Sequence, residues 1–326
     1  MRQPRPEEGS LLTPESPTTI TWHILGAGAI GSLWAIYGHR AGADVRLILR
    51  DQQTLDAYQQ CAGISLHISE QTLHYQLPAS CPSSLPSPIQ HLLITTKAQQ
   101  TLPALKTLST HIADDAVLLL LQNGLGIAEQ IQHEFPKATV IQGSTTEGCY
   151  RQNRFEFVHA GRGQTFIGST KDGEHDTLPQ LAHSLSFSPL SVSVSDNIKA
   201  VLWRKLAVNC VINPLTVIHR CRNGELLNSP ERRAQMRQVV DEILEVSAAL
   251  GHADWVADLH KLVTDVATTT AANRSSMLQD VEAGRDTEID AITGYLCHLA
   301  AQHKIAVPMN QQLLDKVKRL SSPHQP

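Results

Sequence analysis

No basic run longer than a pair such as Arg232-Arg233 occurs anywhere in the 326 residues. With a formal net charge of −4, the chain offers neither the stripe that nucleic acid requires nor the patch that an anionic membrane attracts. Apolar runs are short as well. The longest uninterrupted one, Ala116 to Leu121, falls far below the ~20 residues that span a bilayer, so no membrane segment is expected. The six cysteines (Cys61, Cys81, Cys149, Cys210, Cys221 and Cys297) form no C-x-x-C pair. They read as free thiols in a reducing, cytoplasmic compartment. Sixteen histidines are many, yet none falls into H-E-x-x-H or another ligand spacing, and no metal is expected. Residues 1–19 lack the apolar core of a signal peptide and carry Pro4, Pro6, Pro14 and Pro17 among Glu7, Glu8 and Glu15. A disordered tail is the expectation there. These exclusions leave a small molecule as the expected partner.

The length admits two cores, because single hydrophobic cores stop growing near ~250 to 300 residues. The first is announced by a short apolar strand, Ile20 to Leu25, that runs into Gly26, Ala27, Gly28, Ala29, Ile30 and Gly31 and then a helical pattern through Ala41. A second strand, Ala43 to Leu49, completes a β-turn-α-β unit, the context in which G-x-G-x-x-G signals dinucleotide binding. Gly26 permits the tight turn, Gly28 the approach of a pyrophosphate, and Gly31 the close packing of helix on strand, while the helix N-terminus faces the phosphates. Further strands at His91 to Thr95, Ala116 to Leu121 and Thr139 to Gln142, with amphipathic helical segments between them, predict a Rossmann-type parallel sheet covered on both faces. Phe155 to Gly168, with Gly161 and Gly163 near its centre, reads as a hairpin added to that sheet, and Val192 to Val194 as a final strand. From Asp196 the pattern is helical. The expected organisation is an α/β dinucleotide-binding domain over 20–195 and an all-helical domain over 196–322.

The most informative segment lies in the helical half. Between Trp203 and Leu215, Lys205, Asn209 and Asn213 recur at i, i+4 and i+8 in an otherwise apolar helix. Such a stripe drifts only about 40° per step and climbs roughly 12 Å along one face, the length of a small polar substrate. A buried ammonium or amide is costly without a partner, so the stripe must face something other than bulk water. The plainer alternative is a snorkelling lysine and two satisfied core amides.

The second strand ends in Leu49-Arg50-Asp51, some twenty residues past the glycines, where an acidic residue marks NAD and an arginine marks NADP. Arg50 favours a 2′-phosphate despite Asp51, since a guanidinium can grip phosphate bidentately. Lys97 and the turn at Gln122-Asn123-Gly124 follow two other strands, beyond the carboxyl ends where ligands of open α/β sheets bind.

Together these segments resemble the ketopantoate reductases (2-dehydropantoate 2-reductases), NADPH-dependent enzymes of pantothenate biosynthesis. The likeness runs over roughly residues 20–320. It is carried by the glycine loop, Thr96-Lys97-Ala98, Asn123-Gly124, the run from Leu202 to Leu215, Asn223-Gly-Glu-Leu226, Ser275 to Asp280 and Thr287 to Asp290. It implies Lys205 as general acid, giving a proton to the ketone oxygen as hydride reaches the adjacent carbon. It also implies substrate contacts from Asn123, Asn209, Asn213 and Asn223 and from the segment Asn273, Arg274, Ser275 and Ser276, with Ser276 on the carboxylate. Glu288 falls between cofactor and substrate hydroxyl. Arg50 and Lys97 match cofactor-phosphate contacts, and Cys149 stands where the family places a backbone contact to the cofactor. The tail and Cys149 itself depart from the family pattern. On the residues alone, Ser276 reads equally as a helix cap and Glu288 as a solvated charge beside Arg285. Two rivals remain open: a related dehydrogenase of another 2-oxo or 3-hydroxy acid, and a catalytically dead NADP-sensing module.

Overall fold

A computed structural model describes residues 20–85, 88–170 and 176–321. The tail expected over 1–19 lies outside the described residues, as does residue 322. The N-terminal half contains strands β1 (Trp22–Leu25), β2 (Val45–Ile48), β3 (Ile64–Ile68), β4 (Gln71–Tyr75), β5 (Ala79–Ser80), β6 (Ile89–Ile94), β7 (Ile112–Leu120), β8 (Thr139–Thr145), β9 (Gly148–Asn153), β10 (Glu156–Gly161), β11 (Thr165–Gly168) and β12 (Val192–Val194). Its helices are α1 (Ala29–Arg40), α2 (Gln52–Gln60), α3 (Ala98–Thr107), α4 (Ile127–Glu134) and α5 (Leu178–Ser184).

Eight strands form the main sheet in the order β12-β11-β8-β7-β6-β1-β2-β5. The six from β8 to β5 run parallel, and β11 turns antiparallel to β8. β1 is central and buried along its whole length, which is why it reads as an unbroken apolar run rather than an alternation. One face of the sheet buries Trp22, Trp34, Tyr37 and Phe157, and the other buries Leu92, Ile94, Leu105 and Leu118.

Two sequence expectations need correction. The stretch Phe155 to Gly168 is not a hairpin. β10 joins a separate four-stranded sheet, β4-β3-β10-β9, while β11 belongs to the main sheet. The reason lies at Gly163, where an added Cβ would sit 2.2 Å from the Thr146 carbonyl carbon, so the chain crosses between sheets against Thr146 and Glu147. Nor is the interval between the second and third expected strands purely helical. α2 is followed by β3, β4 and β5, and the small sheet packs on α1.

The C-terminal half is helical: α6 (Ile198–His219), α7 (Pro230–Ala249), α8 (Leu259–Thr269), α9 (Ser276–Glu282), α10 (Tyr295–Gln302) and α11 (Pro308–Ser321), with a π-helical segment at Asp290–Gly294 before α10. α6 begins where the Asn197 side chain accepts from the Ala200 N–H at 3.0 Å, and ends at Arg220 in a left-handed conformation. α7, α8, α9 and α11 surround it, and Trp203, Val211 and Leu215 lie in a core of their own. By length and apolarity α6 would pass for a membrane span, but most of it is buried inside the protein. It is a core helix.

Candidate active site

The glycine loop follows β1 without a break. An added Cβ at Gly31 would lie 2.0 Å from the Gly26 carbonyl oxygen and 2.4 Å from Thr95 Oγ1, so only glycine lets α1 approach the sheet this closely. Beside Gly28, by contrast, a Cβ would meet nothing within 4 Å. α1 has no side-chain cap and no acidic residue in its first turn. Open space at a helix start with uncapped N–H groups fits the pyrophosphate of a dinucleotide.

At the end of β2, the Arg50 side chain is 82% exposed and pairs with Asp51 at 2.8 Å. The other Asp51 oxygen accepts from Thr54 N and Thr54 Oγ1 at 2.7 and 2.6 Å, capping α2. These bonds from Thr54, and then from Arg50, hold the Asp51 carboxyl down at about 2. Both carboxylate oxygens are engaged. The guanidinium beside them stays exposed.

Lys205 Nζ reaches from α6 across to the end of β8 and donates to the Thr145 carbonyl oxygen at 2.8 Å. Desolvation at this half-buried position between α6 and β8, offset in part by the charge of Glu288, brings its pKa down to about 8. Glu288 is not a solvated partner of Arg285. One carboxylate oxygen accepts from Ala98 N at 3.3 Å and the other from Asn123 Nδ2 at 3.1 Å. Burial pushes this carboxyl up, opposed by those two bonds and by the nearby Lys97 charge. Asn123 is held in place by its neighbour Gly124, which has φ +84° and would bring a Cβ within 2.6 Å of the Ala291 side chain. Two helical-half contacts, Glu288 to Asn123 and Ala291 to Gly124, therefore fix this strand end.

Farther along α6, Asn209 is half-buried and Asn213 buried, and neither side-chain amide has a hydrogen-bond partner among the described residues. Asn223 donates through Nδ2 to Thr270 Oγ1 at 2.8 Å, which leaves its buried Oδ1 without a partner. An acceptor so placed is costly unless a ligand donor meets it. Of the two readings of Ser276, the helix cap does not hold: the cap is Ser275, whose Oγ accepts from Leu278 N at 3.0 Å and pairs with Thr216 Oγ1 of α6 at 2.7 Å. Ser276 is exposed and makes no side-chain hydrogen bond among the described residues. Asn273 accepts the Asn223 N–H through its carbonyl at 2.9 Å, and Arg274 pairs with Glu282 at 2.5 Å.

Lys97 does not point freely from its strand end. Its ammonium bridges to the helical half, pairing with Asp280 at 2.8 Å and donating to the Asp286 carbonyl at 2.5 Å. Asp280 also binds Arg285 at 2.9 Å. Cys149, on β9, has its thiol pushed up to about 12 by burial and then by the Glu147 charge, so it stays protonated. Sequence reasoning missed the Thr145 carbonyl, which has no side-chain signature, and Asp280, which lies within a quoted motif but received no role. A recess of about 960 Å³ also opens along the seam, lined by Leu102, Ile127, Tyr295 and His298 among others. Neither Lys205 nor the glycine loop borders it, so the site follows the converging polar groups instead.

Two family descriptions match the chain: "Ketopantoate reductase PanE/ApbA" over residues 22–172 and "Ketopantoate reductase PanE/ApbA C terminal" over residues 197–321. A 2-dehydropantoate 2-reductase of Shigella flexneri is 36% identical over 304 residues, covering 93% of this chain and 95% of that protein. Among solved structures, a probable 2-dehydropantoate 2-reductase of Bacillus subtilis superposes with a TM-score of 0.78 at 30% identity, covering 92% of this chain and 100% of the other. A D-mandelate dehydrogenase with NADH and anilino(oxo)acetate superposes with a TM-score of 0.86 at 25% identity, covering 93% and 98%.

Proposed function

Because this chain belongs to the ketopantoate reductase family, we propose that it reduces 2-dehydropantoate to pantoate with NADPH, with Lys205 as the proton donor. The observation that carries the reading is the Lys205 ammonium, half-buried between α6 and β8 with its pKa lowered to about 8, under the charge of Glu288 and on the same helix as two unpartnered amides. Bound NADPH supplies the hydride to the substrate's carbonyl carbon. The chain's own groups do the rest. The ammonium polarises the carbonyl oxygen and passes one proton from Nζ to it, so the ketone becomes the alcohol and the lysine is left neutral until solvent reprotonates it. A cation that can also donate is suited to a step that builds negative charge on oxygen.

Asn209, Asn213, Asn223 and Ser276 orient the acid and its hydroxyl. The unpartnered Oδ1 of Asn223 suits a hydroxyl donor. Glu288 and Asn123 align substrate against the nicotinamide ribose, Arg50 receives the 2′-phosphate, and Cys149 contacts the cofactor through its backbone. In this reading the dinucleotide-binding domain spans 20–195 and the substrate domain 196–322. The enzyme works as a monomer or homodimer in the cytoplasm, a reducing compartment to which its six free cysteines are suited.

A second reading, an NADH-dependent dehydrogenase of an aryl-substituted 2-oxo acid, draws on the likeness to the D-mandelate enzyme. One assay separates the two. Absorbance loss of NADPH and of NADH is followed with ketopantoate and with an aryl 2-oxo acid. Preference for NADPH and ketopantoate supports the first reading, and preference for NADH and the aryl acid overturns it.

A further inference from the structure

β9 lies beside the glycine loop, and residues two apart on a strand share a face, so Arg151 follows Cys149 on the same side. Its guanidinium lies against the Phe157 ring, 5.6 Å from the centroid, and donates through Nη2 to the Ala27 carbonyl within the glycine loop at 3.2 Å. Arg151 has no ion pair among the described residues. The charges that act on it come from the helical half, Arg285 and then Asp280, and from Arg154 beside it in sequence. Asp280 is already shared by Lys97 and Arg285 at 2.8 and 2.9 Å. Arg151 is exposed on β9. Lys97 and Arg285 thus take both carboxylate oxygens of Asp280, and Arg151 is left with no carboxylate of its own while its guanidinium rests on the glycine loop. A site short of negative charge next to uncapped helix N–H groups is suited to a doubly charged anion.

We propose that Arg151 is a contact to the diphosphate of the dinucleotide, reaching over the glycine loop from β9. This rests on the nicotinamide-cofactor reading above and adds to it a group that does not distinguish NADPH from NADH, unlike Arg50. The Ala27 carbonyl and the Phe157 ring hold the guanidinium in position, so little side-chain freedom is lost on binding.

The test is cofactor affinity measured by fluorescence titration, with no turnover required. Arg151→Gln should weaken NADPH and NADH by the same factor, about tenfold or more. Adenosine 2′-monophosphate, which carries the 2′-phosphate but no diphosphate, should bind the variant as it binds the wild type. Arg151→Lys, which keeps the charge, should recover part of the loss. The thermal midpoint of the cofactor-free Arg151→Gln protein, compared with wild type, controls for folding. Unchanged affinity for both dinucleotides, a loss confined to NADPH, or an equal loss for adenosine 2′-monophosphate would each overturn the assignment. Failure of the wild type to bind either dinucleotide would instead sink the cofactor reading itself.

Discussion

Lys205 carries the sharpest consequence, because its role and its pKa come from the same burial. A lysine titrating at about 8 is about nine-tenths protonated at pH 7 and about one-tenth at pH 9. If the ammonium is the donor, ketopantoate reduction must follow that fraction, falling roughly tenfold between those two pH values with the limb at about 8 and less steeply as the limb moves upward. The sign reverses for pantoate oxidation, which needs the neutral amine as base and should rise over the same interval. Anionic cofactor phosphates favour the ammonium, so binding moves the limb upward from about 8 and not downward. Lys205→Ala should keep the fold and NADPH binding yet lose on the order of 10²-fold or more in turnover. Lys205→Arg keeps charge but holds its proton, and should be severely impaired with no limb in this range. The assay is NADPH absorbance decay from pH 6.5 to 10, with circular dichroism on the variants. A flat wild-type profile across that range, or a folded Lys205→Ala enzyme with near wild-type turnover, would refute the reasoning.

Arg50→Ala should weaken NADPH relative to NADH by roughly 1.5 to 3 kcal/mol, nearer the lower end because the guanidinium is exposed; equal losses measured by titration would remove the 2′-phosphate assignment. Asn209→Ala and Ser276→Ala should each lower kcat/KM for ketopantoate while leaving NADPH affinity nearly unchanged, and calorimetry showing abolished NADPH binding would return those positions to the cofactor or the fold. Gly31→Ala forces a Cβ to 2.0 Å from the Gly26 carbonyl oxygen, so it should abolish NADPH binding and lower the thermal midpoint; wild-type affinity would contradict the close packing.

The glycine loop, the parallel strands that follow it and the long apolar α6 were legible because each is a local pattern. Spacing along one strand or helix determines which side chains share a face. The Lys205, Asn209, Asn213 stripe is such a pattern, as is the Arg50-Asp51 pair at a strand end. What α6 faces is not local. Lys205 meets the Thr145 carbonyl, 60 residues away in sequence, and Glu288 meets Asn123 across 165. The small sheet was missed for the same reason: β10 looks like half a hairpin with β11, and its true partners β3 and β9 are chosen by packing on α1. Between Ser275 and Ser276, adjacent and chemically alike, the choice of cap was invisible in the chain and was decided by which hydroxyl lay against Thr216 of α6. The sequence by itself determined the glycine loop, the parallel strands at its core, the helical half and the residue types of the site. Only the tertiary structure decided which polar groups were already satisfied and which were left for a ligand, because a hydrogen bond between distant segments depends on where packing brings them together.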